Sequence, residues 1–130
     1  MQQSPYGGVG TITIGDNSHI GDNVHITAIN KVSIGNNVLT GRWVTITDNS
    51  HGQFSSTELQ VSPEERKLYS KGPVVIEDNV WISDKVTICP GVTIGKGSVI
   101  GANSVVTKSI PPYSLAVGIP AKVVKQCEIE

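Results

Sequence analysis

One hundred and thirty residues allow a single domain with one core. Ten basic residues against eleven acidic ones leave a net charge of −1, which excludes the basic excess that nucleic-acid binding or a polybasic membrane anchor demands. Aromatic residues make up 5% of the chain and glycine 14 positions, so the core is expected to be aliphatic and thinly layered. No apolar run is long enough for a membrane span. The start, MQQSPYGGVG, lacks the charged and apolar regions of a signal peptide. Cys89 and Cys127 are too few for a disulfide framework and fit a reducing, cytoplasmic setting.

Taken along the chain, a six-residue repeat governs residues 9–51, with Ile14, Ile20 and Ile26 in its first place. The frame skips two residues, read as a bulge at Val32-Ser33, and resumes at Ile34 and Ile46 with Thr40 between them. Residues 52–72 (GQFSSTELQVSPEERKLYSKG) carry no repeat and are polar, which predicts an extended loop. The repeat returns over 73–110, where Ile76, Ile82, Ile88, Ile94, Ile100 and Val106 keep the first place. The fifth place holds Val80, Val86, Val92, Ser98 and Ser104. Residues 111–130, after the Pro111-Pro112 pair, are read as a tail capping the last coil.

A period of six divides by two and not by 3.6, so it suits strands and excludes helices. The fifth and first places then share the inner face, and the sixth place points outward. Glycine, aspartate and asparagine in the second to fourth places (GDN, GNN, EDN, GAN) supply the corners. Each hexad is a short strand plus a corner, and stacked coils bury continuous aliphatic ladders. The fold class is all-β, a parallel coil built from hexapeptide repeats.

Four segments carry a family resemblance: ITDNSHG at 46–52, GPVVIEDNVWIS at 72–83, PGVTIGKGSVIGANSVVTKSIPPYS at 90–114 and GIPAKVVK at 118–125. Through them the chain resembles the hexapeptide-repeat acyltransferases over almost its whole length, most of all the galactoside, maltose and exopolysaccharide O-acetyltransferases. The resemblance implies a left-handed parallel β-helix, although general crossover chemistry favours the right hand. It also implies a loop arching over the active-site groove, acetyl-coenzyme A as donor without a metal, and a homotrimer with active sites between subunits. Relatives of this kind often carry extra N-terminal coils or a helical cap, so this chain is read as a short or minimal form.

The resemblance assigns His51 as the general base, since ITDNSHG matches the segment whose histidine has that role. A sugar hydroxyl is a poor nucleophile until a positioned base takes its proton, and imidazole titrates near neutral pH. Asp48 and Glu58 lie near His51 in sequence, but neither spacing defines a dyad. For the donor, the resemblance implies Ala102 on the pantetheine path, Thr107 and Lys108 against coenzyme A, and Lys122 and Lys125 near its phosphates. Lysine in place of arginine loses the bidentate fork. Ser83-Asp84 departs from the usual pattern after Trp-Ile, and an ionised aspartate cannot donate a hydrogen bond to a thioester carbonyl. Trp81 is expected on one outward face with Leu39 and Val99, as a trimer contact that also touches the donor.

Other readings compete. An N-acyltransferase acting on an amino sugar shares every feature above. A γ-carbonic-anhydrase-like zinc site requires converging histidines, whereas His19, His25 and His51 are expected on three different faces. An ice-binding solenoid needs an unbroken threonine rank, but His25 and Val105 interrupt Thr45 and Thr87. A degenerate, non-catalytic scaffold, inactive through Ser83-Asp84, is the remaining alternative. Cys89 is read as a corner filler and not a nucleophile, and Cys127 as a spare thiol, in keeping with direct transfer.

Overall fold

The computed structural model describes residues 10–129. The N-terminal segment up to Val9, read above for a leader, lies outside them. The strands, in chain order, are β1 (Thr11–Ile14), β2 (His25–Thr27), β3 (Lys31–Ile34), β4 (Leu39–Thr40), β5 (Thr45–Thr47), β6 (Ser50–His51), β7 (Leu68–Tyr69) and β8 (Val74–Ile76). They continue as β9 (Trp81–Ile82), β10 (Thr87–Ile88), β11 (Thr93–Ile94), β12 (Val99–Ile100), β13 (Val105–Val106), β14 (Ser114–Gly118) and β15 (Ala121–Gln126). Two single-turn 3-10 helices, Glu58–Gln60 and Pro63–Glu65, are the only helical segments among the described residues.

The chain visits three parallel sheets in rotation. Sheet I orders β1-β3-β8-β11, sheet II β4-β9-β12-β14-β15 and sheet III β2-β5-β10-β13. Apart from the β6–β7 and β14–β15 pairs, successive strands belong to different sheets, so one circuit of the chain returns it to its own neighbour. The register shows the period directly: Trp81 pairs with Val99 and Thr87 with Val105, three hexads on. All pairings are parallel except β14–β15 and β6–β7.

The hexad places fall where alternation puts them. Ile34, Ile76 and Ile94 line up inside sheet I, Ile46, Ile88 and Val106 inside sheet III, and Ile82 and Ile100 inside sheet II. These side chains form one buried cluster with the fifth-place valines. Burying each isoleucine contributes about 2 kcal/mol of hydrophobic free energy. The serines that replace valine at Ser98 and Ser104 are buried and hydrogen-bonded. Ser98 Oγ donates to the Pro111 carbonyl and accepts the Ser114 N–H, and Ser104 Oγ accepts the Gly118 N–H. They fasten the last turn where the repeat runs out.

Three expectations about boundaries change. Val32 and Ser33 form no bulge, since they pair in register with Val74 and Val75 inside β3. The two extra residues lie earlier, in a lengthened corner over residues 27–31 between sheets III and I. The insertion that begins at residue 48 leaves from the same corner one coil later. There the chain makes a two-stranded antiparallel ribbon, Ser50 opposite Tyr69 and His51 opposite Leu68. Finally, the segment expected as a cap from residue 111 first adds a strand to the repeat: β14 pairs parallel with β12, and only then does β15 fold back.

No helix among the described residues is long and apolar enough to cross a membrane.

Candidate active site

The lengthened corner and the ribbon are joined by one polar network centred on Asp48, which is fully buried. Its Oδ1 accepts the Ile29 N–H at 2.9 Å and its Oδ2 the Asn30 N–H at 2.8 Å. Asn49 Nδ2 donates to Oδ1 at 3.0 Å. Thr27 and Thr47 join their hydroxyls across the sheet at 2.8 Å. Two corner amides that a regular hexad would not leave are thus satisfied by a side chain at the root of the ribbon. Both carboxylate oxygens of Asp48 serve the backbone, so its task is to fix the ribbon's departure from the coil.

Under the ribbon lies a groove of about 440 Å³, lined by Ser50, Gly52, Gln53, Phe54, Tyr69, Lys71, Cys89, Pro90 and Thr107. Its floor comes from the next two III/I corners, Cys89-Pro90 and Thr107, and its roof from the ribbon. Lys71 lays its stem along Gly91, which turns the corner at φ +78°. The Cys89 thiol is held above its ordinary pKa by burial, an effect that the nearby Lys71 ammonium partly opposes. Cys89 was expected only to fill a corner, and Thr107 alone of the lining residues carries a functional assignment from sequence. Their one signal was position: Cys89-Pro90-Gly91 occupies the corner directly after the insertion.

His51 falls out of phase with this groove. Ser50, Gly52, Tyr69 and Lys71 line it, and alternation along the ribbon sends the paired His51 and Leu68 to the other side. His51 is exposed, on the ribbon and not on a third face of the coil as expected. Glu58 packs its carboxylate against Gly52, the residue after His51. His19 and His25 do lie on separate sheets, opposite Leu39 in sheet II and Thr45 in sheet III.

The other assigned residues separate into three groups. Ser83, Asp84 and Ala102 share the corner between sheets II and III, stacked by the bond from the Asn103 N–H to the Asp84 carbonyl at 3.0 Å. Asp84 is exposed, and its Oδ1 accepts the Arg42 N–H of the adjoining coil at 2.9 Å. Thr107 and Lys108 sit at the III/I corner, on the ribbon's side. Lys122 and Lys125 lie on β15, opposite Val117 and Leu115. Trp81 stands between Leu39 and Val99 in a row on the outer face of sheet II; Trp81 is 50% and Leu39 48% exposed. Within one chain, therefore, the Ser83–Ala102 edge and the His51 ribbon stand at opposite ends of sheet III. Thr45 and Thr87 share one outward file of that sheet with His25 and Val105, which break the threonine rank.

A model of the bacterial transferase hexapeptide (six repeats) matches residues 73–108, and one of the hexapeptide repeat of succinyl-transferase matches 7–28. A maltose O-acetyltransferase from Clostridium difficile is 36% identical, with a TM-score of 0.70, over 92% of this chain and 68% of its own. The chain belongs to the hexapeptide-repeat acyltransferases. A hexapeptide-repeat acetyltransferase from Vibrio cholerae, solved with acetyl-coenzyme A, is 37% identical at a TM-score of 0.82, covering 92% of this chain and 62% of that one. Galactoside O-acetyltransferase of Escherichia coli is 43% identical over 118 residues, 86% of this chain and 55% of that protein. The chain spans between 39% and 62% of the length of the curated relatives it matches.

Proposed function

We propose that this member of the family is an acetyl-coenzyme A-dependent O-acetyltransferase acting on a sugar or polysaccharide precursor, working in the cytoplasm as a homotrimer of left-handed solenoids. The observation that carries the reading is His51, set on the exposed side of a ribbon whose root is fixed by buried Asp48. That arrangement gives a base held firmly but open to an acceptor. Similarity to acetyltransferases at 36–43% identity supplies the reaction class.

In this reading His51 takes the proton of the acceptor hydroxyl as that oxygen attacks the thioester carbonyl, and coenzyme A leaves as the thiol without a covalent acyl-enzyme. The imidazole acts in its neutral form, with a ring nitrogen free to accept the proton. Thr107, Lys108, Lys122 and Lys125 offer one hydroxyl and three ammonium groups to an anionic donor. Asp84 is committed to the Arg42 N–H, so stabilisation of the developing oxyanion falls to backbone N–H groups or the Ser83 hydroxyl.

The separation of the Ser83–Ala102 edge from the His51 ribbon supports a site shared between copies, where one copy's edge meets the next copy's ribbon. The row of exposed Leu39 and Trp81 with half-buried Val99 supplies an apolar contact for that association.

The test follows coenzyme A release from acetyl-coenzyme A with a thiol reagent, across neutral sugars, acidic sugars and amino sugars. Sugar-dependent release that collapses in His51→Ala is the expected result. Release only with amino sugars would reassign the acceptor to an amine, and failure to bind coenzyme A would overturn the transferase reading.

A further inference from the structure

Most corners of the winding place one residue at positive φ, and asparagine or glycine fills most of these positions, as Asn23 and Asn103 do on the II/III edge. That choice is physical: a β-carbon crowds the following carbonyl in the left-handed region, and asparagine tolerates it best after glycine. Trp43 breaks the pattern at φ +59°. Lys85 and Tyr113 break it too, but Lys85 at φ +60° sends a flexible charged stem into solvent, where it belongs, and the Tyr113 ring has a seat against Gly97 and faces the Lys96 ammonium at 5.9 Å. The Trp43 side chain instead remains 61% exposed. A bulky residue in a strained conformation, with its ring left in solvent, is poor choice for stability and points to a task outside the fold.

Its place in the stack defines the task. The II/III edge runs Asn23, Trp43, Asp84-Lys85, Ala102-Asn103, tied by the Trp43 N–H to the Asp22 carbonyl at 3.0 Å and the Lys85 N–H to the Arg42 carbonyl at 2.8 Å. Trp43 thus stands one coil beyond Ser83-Asp84, in the coil that also gives rise to the His51 ribbon. In an association with the coil axes parallel and level, an Asp84 edge set against a neighbour's ribbon brings Trp43 to the level of the neighbour's base. Donor and acceptor meet at that base, and a donor running along Ala102 and Ser83-Asp84 leaves the Trp43 end to the acceptor.

We propose that Trp43 is the stacking platform for a sugar ring of the acceptor, a specificity-determining residue that contacts substrate without taking part in proton transfer. The inference rests on the transferase reading above. An indole presents a flat apolar face that matches the C–H face of a pyranose, and its N–H remains free to meet a ring hydroxyl.

Two measurements test it. The chain has two tryptophans, so Trp81→Phe leaves Trp43 as the sole indole emitter. Titration with methyl β-galactoside, maltose and N-acetylglucosamine is expected to give a saturable change in emission with at least one of them. Trp43→Asn, which installs the residue found at the neighbouring corners, is expected to raise the melting midpoint by about 3 °C, as relief of a strained φ would. The same variant raises the acceptor KM about tenfold, the equivalent of one lost stacking contact, and leaves the acetyl-coenzyme A KM within twofold. An emission unmoved by all three sugars, or an acceptor KM unchanged in Trp43→Asn, overturns the platform. Saturable emission changes without any acetyl transfer by the wild type would instead retain the platform and overturn the transferase reading.

Discussion

Asp84 and Arg42 are 42 positions apart, yet the Asp84 carboxylate accepts the Arg42 N–H at 2.9 Å and so straps two successive coils together at one corner. Asp78 does the same for the Asn36 N–H at 2.8 Å on the neighbouring edge. Both straps cross the insertion, joining the coil before it to the coil after it. Gly41 stands where any β-carbon would strike the Asp84 carboxylate, so the glycine is part of the strap.

Asp84→Ala is therefore expected to cost about 1 kcal/mol, the value of one exposed hydrogen bond to a charged group. Urea unfolding measures it, and an unchanged midpoint would mean that water replaces the carboxylate at no loss. Asp84→Ser separates stability from donor activation, because a marked rise in turnover would show that the natural residue restrains catalysis.

Asp48→Ala leaves the Ile29 and Asn30 amides without their acceptors in the lengthened corner. A loss of about 3 kcal/mol is expected, together with a fall in kcat larger than the change in KM as the ribbon loses its fixed root. Asp48→Asn retains one carbonyl oxygen and should recover part of both. Equal unfolding midpoints for Asp48→Ala and wild type would remove the network from the account of stability.

His51→Ala is expected to lower transfer by 10²–10⁴-fold, the range for a lost general base, while leaving the unfolding midpoint within about 0.5 kcal/mol because the ring is exposed. Activity close to that of the wild type would reject His51 as the base.

Cys89 and Cys127 should differ in their response to iodoacetamide. Burial disfavours the Cys89 thiolate, so its pKa is raised and its alkylation in mildly alkaline buffer should lag behind that of exposed Cys127. Lys71 attracts the thiolate, so Lys71→Met removes a lowering influence, raises the pKa further and slows the reaction again. Peptide mapping of the labelled chain reads both rates, and faster labelling of Cys89 in Lys71→Met would reverse the assigned sign.

The core ladder offers a control in Ile88, which is fully buried between Ile46 and Val106. Ile88→Ala should cost about 3–4 kcal/mol through lost transfer free energy and the cavity left behind. A cost under 1 kcal/mol would mean that the coils close over the gap.

The sequence by itself determined the strands and the ladder. Alternation and corner chemistry are local properties, so a six-residue period assigns inner and outer places before any contact is known. It put Trp81, Leu39 and Val99 in one row and sent His19 and His25 to different sheets, and the register agrees on both counts. Tertiary structure alone decided where the period breaks, because Val32-Ser33 and the corner at 27–31 differ only in which residues pair with Val74 and Val75. It also decided that His51 and Leu68 pair across the insertion, which turns His51 away from the groove beneath the ribbon. The same holds for the Asp84–Arg42 strap and the seating of Tyr113 but not Trp43. Each depends on residues brought together by a full circuit of the chain, and a repeat specifies the circuit's length without specifying what an irregular residue meets at its end.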